Sequence, residues 1–285
     1  MAALDRSEYI EQQHLWQMLR RRGAEQLPMQ DLLQQVRYEL LATTRLPMAV
    51  DYLLTELRHS GLMGPAMQKL SHYFTPFQSF LIDQAEREAG RFTMSAALQI
   101  LEGEAEFRVG DVSPQGMFFF HFESICRNRL PYDRGLTASS ADPVFDRRWT
   151  KWLLKLRGEI GLVDLADLLF LASDHYAEKL RSAGQPIQDK GPFLFGVKEG
   201  TIAFGNRGRD PLFLFAAMQR HLGYPKVPRI KPPQENKDLI PQMARRIERL
   251  ESRIQLLEAE RKGGIDLTKF YEKHRPDGLP KSDGP

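Results

Sequence analysis

Two pairs of residues have the spacing by which helices present metal ligands. Glu11-Gln-Gln-His14 and Glu56-Leu-Arg-His59 are both Glu-x-x-His, the pattern by which two helices of a ferritin-like bundle each give a carboxylate and an imidazole to a dinuclear centre. Direction tests the idea. Successive helical residues turn by about 100°, so Glu11 and His14 lie on the side of Leu15 and Met18, whereas His59 points away from the stripe of Leu46, Val50, Leu53 and Leu57. With seven histidines among many glutamates, one such pair is expected by chance. Both are read as solvated helix faces, and no metal or cofactor is expected.

The segment Gly205-Asn-Arg-Gly-Arg-Asp210 is the first candidate for an anion site. Glycines beside arginines at a helix start can converge backbone N–H groups and guanidinium donors on a phosphate or carboxylate. Arg207 and Arg209 are therefore the first choice for a ligand contact, although the glycine spacing is neither Walker nor Rossmann and a polar loop capped by Asp210 competes. Arg20-Arg-Arg22 and Arg127-Asn-Arg129 suit the negative ends of two helices. A nucleic-acid surface would need them to share a face with Arg147, Arg148 and Arg207, with the N-terminal helices as a helix-turn-helix.

His121 and Glu123 fall on an apolar stretch with Cys126. A buried ionisable pair can be tuned for acid–base work, but a cysteine and a histidine without an orienting group or oxyanion site read as structural. Zinc-type cysteine spacing, a Gly-x-Ser-x-Gly elbow and His-Glu-x-x-His are missing from the sequence. No residue is nominated as catalytic, and the reading leans away from an enzyme.

Composition narrows the class. The 285 residues carry 40 Lys and Arg against 37 Asp and Glu, a net charge of +3, too small to advertise a nucleic-acid or membrane surface. The single cysteine cannot pair internally, no apolar run approaches a membrane span, and the first residues lack a signal-peptide pattern. A cytoplasmic protein is expected.

The elements that must position these residues are mostly helices. A capping side chain followed by proline opens a helix without losing a needed N–H, and this recurs at Thr75-Pro76, Ser113-Pro114, Asp142-Pro143 and Asp210-Pro211. Gly90 and Gly223 are read as stops. Earlier helices are predicted over residues 7–22, 29–43 and 48–60, and a further one over 92–109. The run 117–125 is apolar nearly all round and is expected to be the central helix. Trp149, Trp152, Leu153, Leu156 and Ile160 define one buried face; Leu212, Phe215, Ala216 and Leu222 define another. The alternation of Phe193, Phe195 and Val197, a Lys-Glu-Gly turn, then Ile202 and Phe204 predicts an antiparallel β-hairpin near 192–205. Residues 168–172 fit either a strand beneath it or a helix. The fold class is therefore mainly α, α+β at most: a helical body over 1–224, a proline-rich linker over 225–237, a coiled coil over 238–262 and a flexible tail over 263–285.

The coiled coil carries the clearest inference. Ile240, Ile247 and Ile254 occupy one heptad position, and Met243, Leu250 and Leu257 the other, the arrangement that favours two parallel strands. Arg246 then faces Glu251, and Arg253 faces Glu258, on the partner. A fold-back of this helix on its own body is the alternative.

The stretches His72-Tyr-Phe-Thr-Pro-Phe-Gln-Ser-Phe80, Asn128-Arg-Leu-Pro-Tyr-Asp-Arg-Gly135 and residues 200–224, with the coil, resemble a family of uncharacterised bacterial proteins, over most of the chain. The resemblance implies an intracellular bacterial setting and carries no activity or site residue. The expected function is a homodimeric interaction or scaffold protein, ahead of a dimeric nucleic-acid-binding regulator and of an enzyme or anion-binding module using Arg207 and Arg209.

Overall fold

The computed structural model describes residues 3–23, 27–87, 91–184 and 193–229. In chain order its helices are α1 (Arg6–Gly23), α2 (Met29–Arg37), α3 (Leu46–Ser60), α4 (Gly64–Lys69), α5 (Pro76–Ala85), α6 (Met94–Val109), α7 (Pro114–Arg127), α8 (Tyr132–Ser140), α9 (Arg147–Glu159), α10 (Leu165–Leu171), α11 (Asp174–Ser182), α12 (Val197–Gly205) and α13 (Pro211–Leu222). Among the described residues there is no strand, only isolated bridges. The chain divides into two units, Met1–Ile230 and Lys231–Pro285. The heptad segment 238–262 and the tail 263–285 lie outside the described residues, as does Gly90. No helix among the described residues is long and apolar enough to cross a membrane.

Local chemistry explains most of the helix starts. Thr75 and Gln78 form a reciprocal capping box at α5, Ser113 accepts from the Gly116 N–H at α7, and Asp210 accepts from the Leu212 N–H at α13; each satisfies a donor that the first turn leaves free. Helix α7 is the central element. Every residue from Gly116 to Ile125 is buried, because α7 is covered on all sides: Phe118 meets Trp149, Trp152 and Phe195, while Phe122 meets Phe215. Along another side of the body, α1 lies against α6, with Leu15, Trp16 and Leu19 on one and Ala97, Ile100 and Leu101 on the other out of water.

Several expectations need correction. Asp142-Pro143 opens no helix; α9 starts at Arg147, where Asp146 accepts from the N–H groups of Arg148 and Trp149, and Asp142 is turned inward. Helix α2 stops at Arg37 rather than at residue 43, and α3 takes Pro47 into its first turn, where proline costs little. The short helices α4 and α8 were not foreseen. On α9 the buried set is Trp149, Leu153 and Leu156, with Trp152 and Ile160 of the expected face only half-buried; on α13 it is Leu214, Phe215 and Met218, with Leu212 43% exposed, so that stripe is rotated.

The hairpin near 192–205 is replaced by helix α12 preceded by an extended arm. Phe195 is the only one of the alternating residues buried deeply, at 1% exposure, and its backbone is held by the Ala172 carbonyl at 3.2 Å and the Asp174 N–H at 2.9 Å. From Gly196 the chain turns helical so that Gly200 and Ala203, its two buried residues, can lie close to α11 and α10. A Cβ at Gly200 would meet the Ser173 Oγ at 2.2 Å; the glycine permits that approach. Residues 168–172, open between strand and helix, belong to α10 through Leu171. The prolines after Tyr224 do not yet begin a free linker: Tyr224 and Val227 are buried, and the Asn128 side-chain amide donates to the Pro228 carbonyl at 3.2 Å.

Candidate functional site

The most highly charged part of the interior is built from α6, α7 and the connector between α8 and α9. Glu104 and Arg108 stand one helical turn apart on α6, and Arg108 donates to Glu104 Oε1 from Nε at 2.9 Å and from Nη2 at 2.7 Å. Its Nη2 also donates to Asp142 Oδ2, which explains why Asp142 points inward. Asp142 Oδ1 accepts from the Val144 N–H at 3.0 Å, closing a tight turn that fixes the carboxylate. Beneath the guanidinium lies the Tyr9 ring, at 5.7 Å. His121 reaches the cluster from α7, stacked on Phe77 with centroids 3.7 Å apart and bordered by Phe145.

All four charged or ionisable side chains are removed from water: Glu104 is 0% exposed, His121 1%, Asp142 2% and Arg108 8%. Burial by itself would raise the Glu104 pKa, but the Arg108 guanidinium, with His121 beside it, holds the carboxyl below its ordinary value. For Arg108, burial opposes the charge, and the Asp142 and Glu104 carboxylates outweigh it. The pairing therefore holds two carboxylates and one cation in a dry interior, one net negative charge before His121 is counted. Neither ring nitrogen of His121 has a hydrogen-bond partner, nor has Glu104 Oε2; the His121 Nε2 to Glu104 Oε2 distance is 3.8 Å. A cleft of about 320 Å³ is lined by Arg108 with Tyr9, Val109, Val112, Pro143 and Val144.

A larger cleft, about 510 Å³, opens beside the same connector, with Phe74, Phe80 and Ala141 as apolar wall and Arg134, Thr137 and Arg157 at its edge. Its arginines are engaged. Arg134 donates to Asp83 at 2.9 Å, and Arg157 pairs with Asp133 at 3.2 Å and donates to Thr137 at 3.0 Å.

The residues nominated from sequence fall elsewhere. Arg207 is paired with Asp167 and lies over the rings of Phe170 and Phe204 at 5.6 and 5.2 Å. The Gly208 N–H of the same loop donates to Asp164 at 2.7 Å, so a backbone donor expected for an anion already has a carboxylate. Arg209 is exposed. Glu11 is buried, accepting from the Leu41 N–H at 2.8 Å, and is not the solvated side chain expected; His14 stands 4.0 Å from Glu39. Glu56 pairs with Lys69 at 2.6 Å, and His59 is exposed. His121 and Glu123 go to different clusters, Glu123 accepting from Arg127 and, at 2.6 Å, from Tyr224. Burial pushes the Cys126 thiol up to about 12, which leaves it a poor nucleophile. The dimerisation set from Ile240 to Leu257, with Arg246, Glu251, Arg253 and Glu258, lies outside the described residues.

Sequence reasoning missed Glu104, Arg108 and Asp142. Glu104-x-x-x-Arg108 has the spacing of an ordinary exposed helix pair, and Asp142 before a proline has that of a cap. The one available signal was their neighbours: Ile100, Leu101 and Ala105 surround Glu104 with apolar residues on adjoining faces of α6.

Together, fold and site define a mainly helical protein with a buried ionic centre. Set against protein-family models, curated proteins and solved structures, the chain matches none.

Proposed function

We propose that this chain is a self-associating interaction protein, which pairs with a second copy and offers the last of its described helices as contact surface. One observation carries the reading. Leu162 is 84% exposed, Phe213 64%, Leu171 48%, Leu212 43%, Val197 40% and Phe204 39%, and all belong to α10, α12, α13 or the turn before α10, helices that pack on one another. Exposed apolar side chains also stand elsewhere, Tyr38 and Met48 at 75% among them, but here six large ones occur on elements that contact one another, and such a grouping is the mark of a surface that finds a partner. The heptad pattern of Ile240, Ile247 and Ile254 with Met243, Leu250 and Leu257 follows in the sequence and supports a parallel pair. A cytoplasmic setting belongs to the same reading.

Charge argues against the nucleic-acid alternative. Arg20, Arg22, Arg127 and Arg207, four of the arginines such a surface would need, each have a carboxylate within ion-pair distance, which reduces the positive charge those four can offer phosphates.

Sedimentation equilibrium of the full chain at micromolar concentration tests the proposal. A dimer is expected, reduced to monomer by Ile247→Asp with Ile254→Asp and weakened by Leu212→Ser with Phe213→Ser. A wild-type chain that sediments as a monomer over the whole range would end it.

A further inference from the structure

We propose that Glu104, His121 and Asp142 form the binding site of a single divalent transition-metal ion, buried between α6, α7 and the connector that follows α8. The three side chains bring one ligand atom each to within 4.8 Å of one another. His121 Nε2 and Glu104 Oε2, both without a hydrogen-bond partner, are 3.8 Å apart. That gap is too long for a hydrogen bond, which needs about 2.7–3.2 Å. It is the separation that two ligands take on one ion when each bond is about 2.0–2.2 Å and the angle between them is open. Buried polar atoms left unsatisfied are rare in native interiors, and here Glu104 Oε2 and both ring nitrogens of His121 are all unsatisfied in one small cluster.

Arg108 is compatible with the ion and prepares its site. It binds Glu104 through Oε1 and Asp142 through Oδ2, fixing the orientation of both carboxylates while leaving Glu104 Oε2 aimed at the imidazole. Orientation of first ligands by hydrogen-bonded neighbours is how metal centres are usually rigidified. The charges fit as well. Two carboxylates and one guanidinium sum to one negative charge; a divalent ion with a deprotonated water as its remaining ligand brings the cluster to zero.

The donor set names the class. One imidazole with two carboxylates suits Zn(II), Mn(II) or Fe(II), and lacks the all-oxygen shell that Ca(II) and Mg(II) prefer. Phe77 stacks on one face of His121, Phe145 borders its edge, and of the cluster only Arg108 lines the 320 Å³ cleft, while Glu104, His121 and Asp142 are at most 2% exposed. The ion is thus shut away from substrates, and its role is to tie α6, α7 and the connector together.

The test uses the full chain, stripped with a chelator and titrated separately with Zn(II), Mn(II), anaerobic Fe(II) and Co(II). Binding of one ion per chain, a rise in thermal midpoint of several degrees and, for Co(II), a visible d–d absorption band are expected. His121→Phe, which keeps the stack on Phe77, should abolish the band and the rise, as should Asp142→Asn, while His14→Ala and His59→Ala should retain both. Absence of stoichiometric binding in the wild-type chain overturns the proposal, even if both variants fail to fold. It is equally overturned if the wild-type chain binds Co(II) but folded His121→Phe and Asp142→Asn both keep the d–d band, since the ion would then lie elsewhere.

Discussion

In the metal-free chain, removing Arg108 would leave Glu104 and Asp142 without a cation in an interior closed to water. Each carboxylate would have to be desolvated alone or take up a proton at neutral pH, and breaking a buried ion pair from one side typically costs about 3–5 kcal/mol. Arg108→Ala is therefore expected to lower the urea midpoint by that amount of stability with little change in the slope. A loss below about 1 kcal/mol would mean that water already reaches the cluster. The exposed pair of Arg157 with Asp133, whose side chains are 39% and 78% accessible, sets the scale for comparison: Asp133→Ala should cost about 0–1 kcal/mol. Apart from the apolar neighbours of Glu104, the sequence contains nothing that marks its pair with Arg108 as an interior one. Glu104 and Arg108 are four apart on a helix whatever lies over them, and only Asp142 and His121, brought in from other elements, make the pair an interior one.

At the scale of elements, legibility follows the range of the interactions. The starts of α5, α7 and α13 were readable because cap, proline and first turn are consecutive residues, and the apolar run of α7 was readable because burial on all sides leaves no polar stripe. Asp142-Pro143 carried the same local signal and misled, since the side chain answers to Arg108 across the fold. The supposed hairpin misled for a related reason. Phe193, Phe195, Ile202 and Phe204 alternate as a strand pair would, yet the buried residues of α12 are Gly200 and Ala203, which are too small to register in a pattern of large apolar residues. Two alanine substitutions separate helix from hairpin. Gly200→Ala would force a methyl to 2.2 Å from Ser173 Oγ and 2.7 Å from the His175 Cβ, and should destabilise by about 1–3 kcal/mol. At Gly205 an added Cβ meets nothing within 4 Å, so Gly205→Ala should be neutral or stabilise by up to about 1 kcal/mol through helix propensity. In a hairpin, Gly200 would sit in the turn and the first substitution would lack this steric cause; equal effects at the two positions in thermal unfolding would contradict α12.

For the molecule as a whole, two carboxylates, the buried Glu104 and the half-buried Glu86, give opposite responses to acid. Glu104 is held below the ordinary carboxyl value of 4.5, burial being outweighed by Arg108 and His121. Its contribution is fully present above that value and is lost as pH falls through the lower, folded one. Glu86 is raised above 4.5 by burial, although the N–H groups of Met63 and Gly64 donate to it at 2.5 and 2.9 Å. A raised carboxyl favours the protonated folded state, so its contribution grows as pH falls through the folded value and levels off below the unfolded one. The urea midpoint, followed from pH 7 to pH 3, is thus expected to hold level or rise slightly on mild acidification and to fall once the pH drops below about 4.5. Glu86→Gln, which cannot titrate, should remove the mild-acid gain. Glu104→Gln should begin from lower stability and fall less steeply, because the charge that acid would neutralise is already gone. A wild-type midpoint that declines steadily from pH 7 with the same slope in Glu104→Gln would show that acid acts on the exposed ion pairs, and that the buried centre does not govern the stability of the fold.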